Sequence, residues 1–93
     1  MSKSIISNER CCYLCGQTLY LHRHHIIYGR GRRKLSEKYG LWVYLCPFHH
    51  NMSNFGVHNN KETDDILKKV AQTCFEREHS REDFIKIFGR NYL

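Results

Sequence analysis

The segment Cys46-Pro47-Phe48-His49-His50 decides how this chain folds, together with Cys12-Tyr13-Leu14-Cys15 earlier in the sequence. Each segment carries two residues of metal-binding type with two other residues between them, so that a short turn can direct both ligand atoms at one point. Two such pairs complete the closed tetrahedral shell that zinc prefers in structural sites. We therefore predict a structural zinc on Cys12, Cys15, Cys46 and His49, with Cys11 as the alternative to Cys12.

Length and composition set the class of protein. The chain has 93 residues, 41% of them hydrophobic and 26% charged, which indicates one globular domain and excludes collagen-like or wholly disordered chains. No apolar run approaches the roughly 18 residues of a membrane-spanning helix, and the first ten residues lack the apolar region of a signal peptide. The odd count of 5 Cys argues against a disulfide framework. We expect no membrane association and a cytoplasmic location.

Positive charge is concentrated in one segment. The formal net charge is +6, and residues 23–38 hold six Lys and Arg against a single acidic residue. A basic segment of this kind favours a polyanionic partner, although a solvated loop would also carry such charge. We predict a polyanionic partner whose backbone phosphates are held by Arg30, Arg32, Arg33 and Lys34. Phosphate contacts carry no sequence information, so we expect low sequence specificity.

The apolar pattern predicts a small α+β fold. Thr18–Ile27 and Leu41–Leu45 are expected to form strands, with a Gly- and Arg-rich loop at 29–40 between them. A short helix is expected from Pro47 to about Phe55. Two further helices follow, one capped by Thr63 and one beginning at Ser80 and ending at Gly89. We predict a flexible N-terminal tail at 1–10 and a single domain at 11–93, made of a metal-binding core (11–58) and a C-terminal helical layer (61–93) with Cys74 buried in it.

Several histidines remain once the zinc pairs are assigned. His24 and His25 lie near the end of the first predicted strand, His50 follows His49, and His58 lies beyond the short helix. Adjacent side chains on a helix point about 100° apart, so His50 faces away from the zinc that His49 binds. These four histidines beside a cationic segment predict an open metal site at which water and phosphate complete the shell. His22 either lines the same face or lies in solvent.

Residues 12–58 resemble the HNH endonucleases, the ββα-metal nuclease family. The resemblance rests on Cys12-x-x-Cys15, His24-His25-Ile26, Leu45-Cys46-Pro-Phe-His49-His50 and Gly56-Val57-His58. Within that family the pattern is similar to phage-type RecA-dependent recombination nucleases. The implied fold is a zinc-stapled ββα-metal finger, treble-clef-like, with additional C-terminal helices. The resemblance also implies DNA as the substrate, a recombinase filament as a protein partner, and a location in the cytoplasm of a bacterial or phage-infected cell.

The resemblance assigns a role to each matching position. His24 and His50 would bind one divalent ion (Mg²⁺, Mn²⁺, Ni²⁺ or Zn²⁺), His58 would be the third ligand with Asn54 as its alternative, and His25 would be the general base. The middle Asn of the family pattern, which orients the loop and the base, is replaced here by Leu41.

Two functions follow from these patterns. The first is a metal-dependent DNA endonuclease that hydrolyses phosphodiester bonds; the resemblance implies that its products are a 5′-phosphate and a 3′-hydroxyl. The alternative is a non-catalytic, zinc-stabilised nucleic-acid-binding module, which has no use for His24, His25, His50 and His58 together. A metal-storage or redox-sensing protein would account for the Cys and His residues but not for the concentrated arginines.

Overall fold

A two-stranded hairpin and four helices make up the part of the chain that the structure describes. The computed structural model describes residues 3–53 and 56–93. Along the chain it contains β1 (His22–His25), α1 (Arg32–Tyr39), β2 (Trp42–Leu45), α2 (Pro47–His50), α3 (Lys61–Phe75) and α4 (Arg81–Phe88). The strands are antiparallel, with His22 opposite Leu45 and His25 opposite Trp42. The predicted small α+β fold is confirmed. None of the helices in the described ranges has the length and apolar character needed to cross a bilayer.

The first strand is shorter than predicted. Regular pairing covers only four of the residues expected between Thr18 and Ile27. Tyr20, at φ 56°, has a left-handed backbone conformation, which is incompatible with a continuous strand. The second strand agrees with its prediction to within one residue at its start.

The segment 29–40 is not the loop that its Gly and Arg content predicts. It contains α1, bounded by Gly31 and Gly40, both of which are left-handed. Residues such as Arg, Lys, Leu and Glu have high helix propensity, and Leu35 and Tyr39, four positions apart, pack against the core. The glycines therefore bound a helix here, because a single left-handed residue at each end is compatible with a helix between them.

The two middle helices differ from their predictions at their ends. Helix α2 begins at Pro47 as expected but ends at His50; Phe55, its expected end, lies outside the described residues. Helix α3 begins at Lys61, and its N-cap is Asn60 rather than Thr63. The Asn60 side chain accepts a hydrogen bond from the Thr63 backbone N–H at 3.1 Å, so Thr63 is the third residue of the helix.

The last helix has the predicted ends. Ser80 Oγ accepts a hydrogen bond from the Asp83 N–H at 3.0 Å, and Gly89 ends α4 in a left-handed conformation. Helices α3 and α4 meet through aromatic rings: the Phe75 ring centroid lies 5.4 Å from that of Phe84 and 6.1 Å from that of Phe88. The largest fully buried side chains are Phe75, Phe84, Phe88, Ile26, Ile27, Leu41, Leu45 and Leu67.

Part of the predicted flexible tail packs against the sheet. Ser4 is buried, and its Oγ donates to the Trp42 carbonyl at 2.6 Å, while the Ile5 N–H donates to the Gly40 carbonyl at 2.9 Å. The polar groups of these two residues therefore pair with the chain around β2. Cys74 is half-buried rather than buried.

Candidate metal centre

The first cluster is formed by the four residues predicted to bind zinc. Their ligand atoms all lie within 4.8 Å of one another. The Cys15 and Cys46 sulfurs are 3.7 Å apart, and His49 Nδ1 lies 3.4 Å from Cys46 Sγ and 3.8 Å from Cys12 Sγ. Tetrahedral zinc with ordinary bond lengths gives edges of about 3.8 Å between sulfurs and about 3.6 Å between sulfur and nitrogen. The donor set and its spacing therefore fit a structural zinc.

Short backbone contacts hold these ligands in place. The turn at 12–16 closes through a hydrogen bond from the Gly16 N–H to the Cys12 carbonyl, and it is tied to β2 by the Tyr13 N–H, which donates to the Tyr44 carbonyl. Cys46 follows β2 directly and is the N-cap of α2. The two ligand pairs therefore meet because the turn is anchored to the strand that leads into the second pair.

Cys12, not Cys11, belongs to the cluster. Cys12 is buried, whereas Cys11 is half-exposed and its sulfur faces Glu9 at 3.8 Å. Burial opposes ionisation of the Cys12 thiol, but backbone N–H groups, among them those of Cys46 and Leu14, outweigh it and lower the pKa of Cys12. The thiolate is the form of cysteine that binds a metal, and a lower pKa makes the thiolate more abundant.

The second cluster consists of His24, His50 and His58, which come from β1, α2 and the loop after α2. One ring nitrogen of each lies within 4.8 Å of the others, and the Nε2 atoms of His50 and His58 are 3.1 Å apart. Two imidazole nitrogens on one transition metal are separated by about 3.0 to 3.4 Å, depending on the coordination geometry. The spacing fits three imidazole ligands around one ion.

His24 supplies independent support for a metal at this cluster. Its Nε2 atom is buried and has no hydrogen-bond partner among the described residues. Orphaned buried nitrogens are rare in proteins, because desolvation without a partner is costly. An ion bound between the three rings would satisfy this atom.

His24, which is buried, and His50, which is half-buried, are both neutral at neutral pH. Burial, reinforced by the neighbouring histidines, lowers the pKa of His24 to about 3. Burial also lowers the pKa of His50 to about 4, with contributions from His58, His22 and Arg33. Because a metal binds only the neutral imidazole, this environment keeps the lone pairs available.

His58 reaches the cluster because its loop runs closely along α2. The Val57 and His58 N–H groups donate to the carbonyls of His49 and His50. A Cβ at Gly56 would lie 2.9 Å from the His50 carbonyl carbon and oxygen, so only glycine fits there. Asn54, the alternative third ligand, lies outside the described residues.

His22 is part of the site, although its sequence position gave the weakest indication. It is half-buried, and its Nδ1 lies 2.9 Å from His50 Nδ1. With His50 Nε2 directed at His58, the His50 Nδ1–H can donate to His22, an outer contact that orients a metal ligand. The signal in the sequence was its place one strand period before His24.

The histidine cluster lines an open cavity with a volume of about 330 Å³, and His25 lines this cavity too. The His25 Nε2 atom lies 2.9 Å from Glu37 Oε1, and the Arg23 guanidinium binds the same carboxylate. Sequence reasoning missed Glu37, because it treated 29–40 as a loop. The cavity is lined by Arg23, His24, His25, Tyr28, Arg33, His50, Asn51 and His58.

Tyr28 is a second cavity residue that the sequence did not single out. Its hydroxyl donates to Asp64 Oδ2 at 3.1 Å, and its ring contacts the His58 ring. Lys68 pairs with the same Asp64 carboxylate at 2.7 Å. These contacts connect the metal-binding half to α3.

The predicted DNA-binding cations have different surroundings. Arg32 Nε donates to the Phe88 carbonyl at 2.9 Å, at the end of α4. Arg32 therefore connects α1 to α4. Arg30 and Lys34 are exposed to solvent, and Arg33 lines the cavity.

The hairpin followed by α2, with a Cys3His cluster and a His triad, is consistent with a ββα-metal motif. Comparison with protein-family models, with curated proteins and with solved structures finds no match to this chain. The described residues therefore contain two clusters that could each hold a metal ion.

Proposed function

We propose that this protein is an HNH-type, metal-dependent DNA endonuclease that hydrolyses phosphodiester bonds with little sequence specificity. The observation that carries the proposal is the shared cavity. The His24/His50/His58 cluster, a histidine outside that cluster (His25) and two arginines all line one open space. A structural zinc site alone needs none of these groups.

In the proposed reaction the imidazole of His25 acts as the general base, and a phosphodiester bond of the nucleic-acid backbone is hydrolysed. The Nδ1 atom of His25 accepts a proton from the attacking water as the water oxygen bonds to phosphorus. The bond from phosphorus to the 3′ oxygen breaks; that oxygen takes up a proton from a solvent water, and His25 returns the proton that it accepted to the solvent. The products are a 5′-phosphate and a 3′-hydroxyl. A divalent ion on the three clustered histidines would supply positive charge where the phosphate and the leaving oxygen become more negative.

The cations around the cavity suit a polyanionic substrate. Arg23 and Arg33 line it, and Arg30 and Lys34 lie exposed near the start of α1. Arginine binds phosphate through two parallel hydrogen bonds, which orients the strand without reading bases. DNA is therefore the substrate we propose, and a DNA-bound recombinase filament is the protein partner that the sequence resemblance suggests.

Plasmid nicking tests the proposal. Zinc-loaded protein is incubated with supercoiled plasmid and Mg²⁺, Mn²⁺, Ni²⁺ or EDTA, beside the His25→Ala variant. We expect ion-dependent nicking that falls by at least about 100-fold in the variant, the usual contribution of a general base. Intact DNA binding without cleavage under any condition would instead favour the non-catalytic zinc module.

A further inference from the structure

The carboxylate of Glu37 contacts two residues of β1 at once. Its Oε1 atom lies 2.9 Å from His25 Nε2, and Arg23 Nη1 lies 2.9 Å from both carboxylate oxygens. The three side chains are mostly buried, with exposed fractions of 18% for His25, 21% for Arg23 and 28% for Glu37. Glu37 comes from α1, so this contact joins the helix to the strand that carries His25.

This contact decides which nitrogen of His25 carries the hydrogen. An ionised carboxylate has only acceptor sites, so the ring nitrogen that faces it must be the donor. Nε2 therefore bears the hydrogen, and Nδ1 keeps its lone pair. A base needs this second nitrogen unprotonated and held in one orientation.

Glu37 itself is held in place from two sides. The neighbouring Ser36 is fully buried, and its Oγ bridges the backbone of Ile27, donating to the carbonyl and accepting from the N–H. The Arg23 guanidinium lies over the Trp42 ring, 3.8 Å from its centroid. The carboxylate therefore has a packed helix behind it and a stacked cation beside it.

Leu41 cannot orient the base. Its side chain is completely buried in the core, and its carbonyl accepts the Ile26 N–H. The polar group that contacts His25 comes instead from α1, four residues earlier in the chain.

We propose that Glu37 is the positioning residue for His25, fixing the tautomer and ring orientation in which Nδ1 faces the cavity. The inference rests on the proposed function, because it treats His25 as the base. It does not require Glu37 to touch the substrate. It assigns to α1 a role in the reaction beyond carrying basic residues.

Nicking kinetics of the full chain test this assignment. We expect Glu37→Ala to lower kcat by about 10- to 100-fold, the usual loss for an outer residue that orients a functional histidine, with KM little changed. Glu37→Gln should recover part of this loss, because its amide oxygen can still accept from Nε2. In the His25→Ala background, Glu37→Ala should cause no further loss.

The matched control is Glu76→Gln. Glu76 also accepts from an arginine and a second side chain, Arg81 and Gln72, but it lies at the end of α3, away from the cavity. Its variant should keep full activity. Thermal melts of all variants distinguish unfolding from loss of positioning. If Glu37→Ala does not fold, the kinetics of Glu37→Gln replace it in the test.

A readout independent of cleavage is the tautomer of His25. In ¹⁵N-labelled protein the two ring nitrogens have distinct shifts, and His25 is assigned from the spectrum of His25→Ala. We expect the Nε2–H form in the native chain and a mixture with the Nδ1–H form in Glu37→Ala.

Each failure has its own signature. An active native chain with unchanged kcat in Glu37→Ala would overturn the inference but leave the proposed function standing. A further loss in the His25→Ala background would also overturn it. A native chain that never nicks DNA would refute the proposed function, and the tautomer measurement would then decide the role of Glu37 by itself.

Discussion

His49 and His50 are adjacent in α2, yet their imidazoles belong to different clusters. His49 Nδ1 lies 3.4 Å from the Cys46 sulfur, whereas His50 Nε2 lies 3.1 Å from His58 Nε2. Because neighbouring side chains on a helix diverge by about 100°, one short helix serves both sites. The first cluster thereby fixes the position of His50 in the second. Loss of the metal from the first cluster should therefore weaken metal binding at the second.

Replacing Cys46 with Ser should remove zinc and unfold the chain, because a structural zinc contributes about 10 kcal/mol or more of folding free energy in small domains. Zinc content and the circular dichroism melt measure this. Cys11→Ser is the control, since Cys11 lies outside the cluster, and it should keep one zinc and a native melt. A cooperative, unshifted melt in Cys46→Ser would refute the zinc assignment.

Replacing Gly56 with Ala should disable the histidine cluster and spare the zinc cluster. The added methyl would overlap the His50 carbonyl at 2.9 Å, so the loop must move and take His58 with it. We expect a loss of at least about 10-fold in Mn²⁺ or Ni²⁺ affinity by calorimetry, and about 1 to 3 kcal/mol of stability. Zinc content should stay at one equivalent. An unaltered second-site affinity would show that His58 is not a ligand.

Stability should fall as the pH is lowered from about 6.5 toward 4 when the histidine cluster holds no ion. The pKa of His24 is about 3 and that of His50 about 4 in the folded chain, both below the ordinary value. In this pH range the unfolded chain therefore binds more protons than the folded chain. Each of the two histidines lowers the free energy of unfolding by up to about 1.4 kcal/mol for each pH unit of acidification. The full contribution is present above pH 6.5.

Denaturant unfolding of protein loaded with one equivalent of zinc checks this, with His24→Leu as the comparison. The variant lacks one of the two groups, so its stability should depend less steeply on pH. Carboxylates and zinc ligands titrate in both proteins and cancel in the difference. Parallel curves would mean that His24 accepts a proton as easily in the folded chain as in the unfolded one.

Arg32 and Arg33 should respond differently to substitution. Arg33→Gln should weaken DNA binding and reduce the slope of log affinity against log salt concentration by about 0.9, the value for one phosphate contact. Arg32→Gln should instead lower the free energy of unfolding by about 1 kcal/mol, since its hydrogen bond to the Phe88 carbonyl is lost. Binding at several salt concentrations and melts of both variants measure the two effects. Identical changes in both variants would contradict this division.

Patterns within short windows predicted much of the molecule. The two Cys and His pairs, the second strand, the Pro47 start of α2 and the Ser80 and Gly89 ends of α4 are local, because spacing and caps involve residues a few positions apart. The prediction failed where local composition was ambiguous. Gly and Arg at 29–40 suited a loop, but the packing of Leu35 and Tyr39 on the core stabilises a helix there.

By itself, the sequence determined which residues could bind metal and that they form two sets, since ligand type and helix geometry settle both. The tertiary structure alone decided which polar groups surround those sets. His22 meets His50 across 28 positions of chain, and Glu37 meets His25 across 12. No local pattern encodes these pairs, because they arise only when the strands pair and α1 packs against the hairpin.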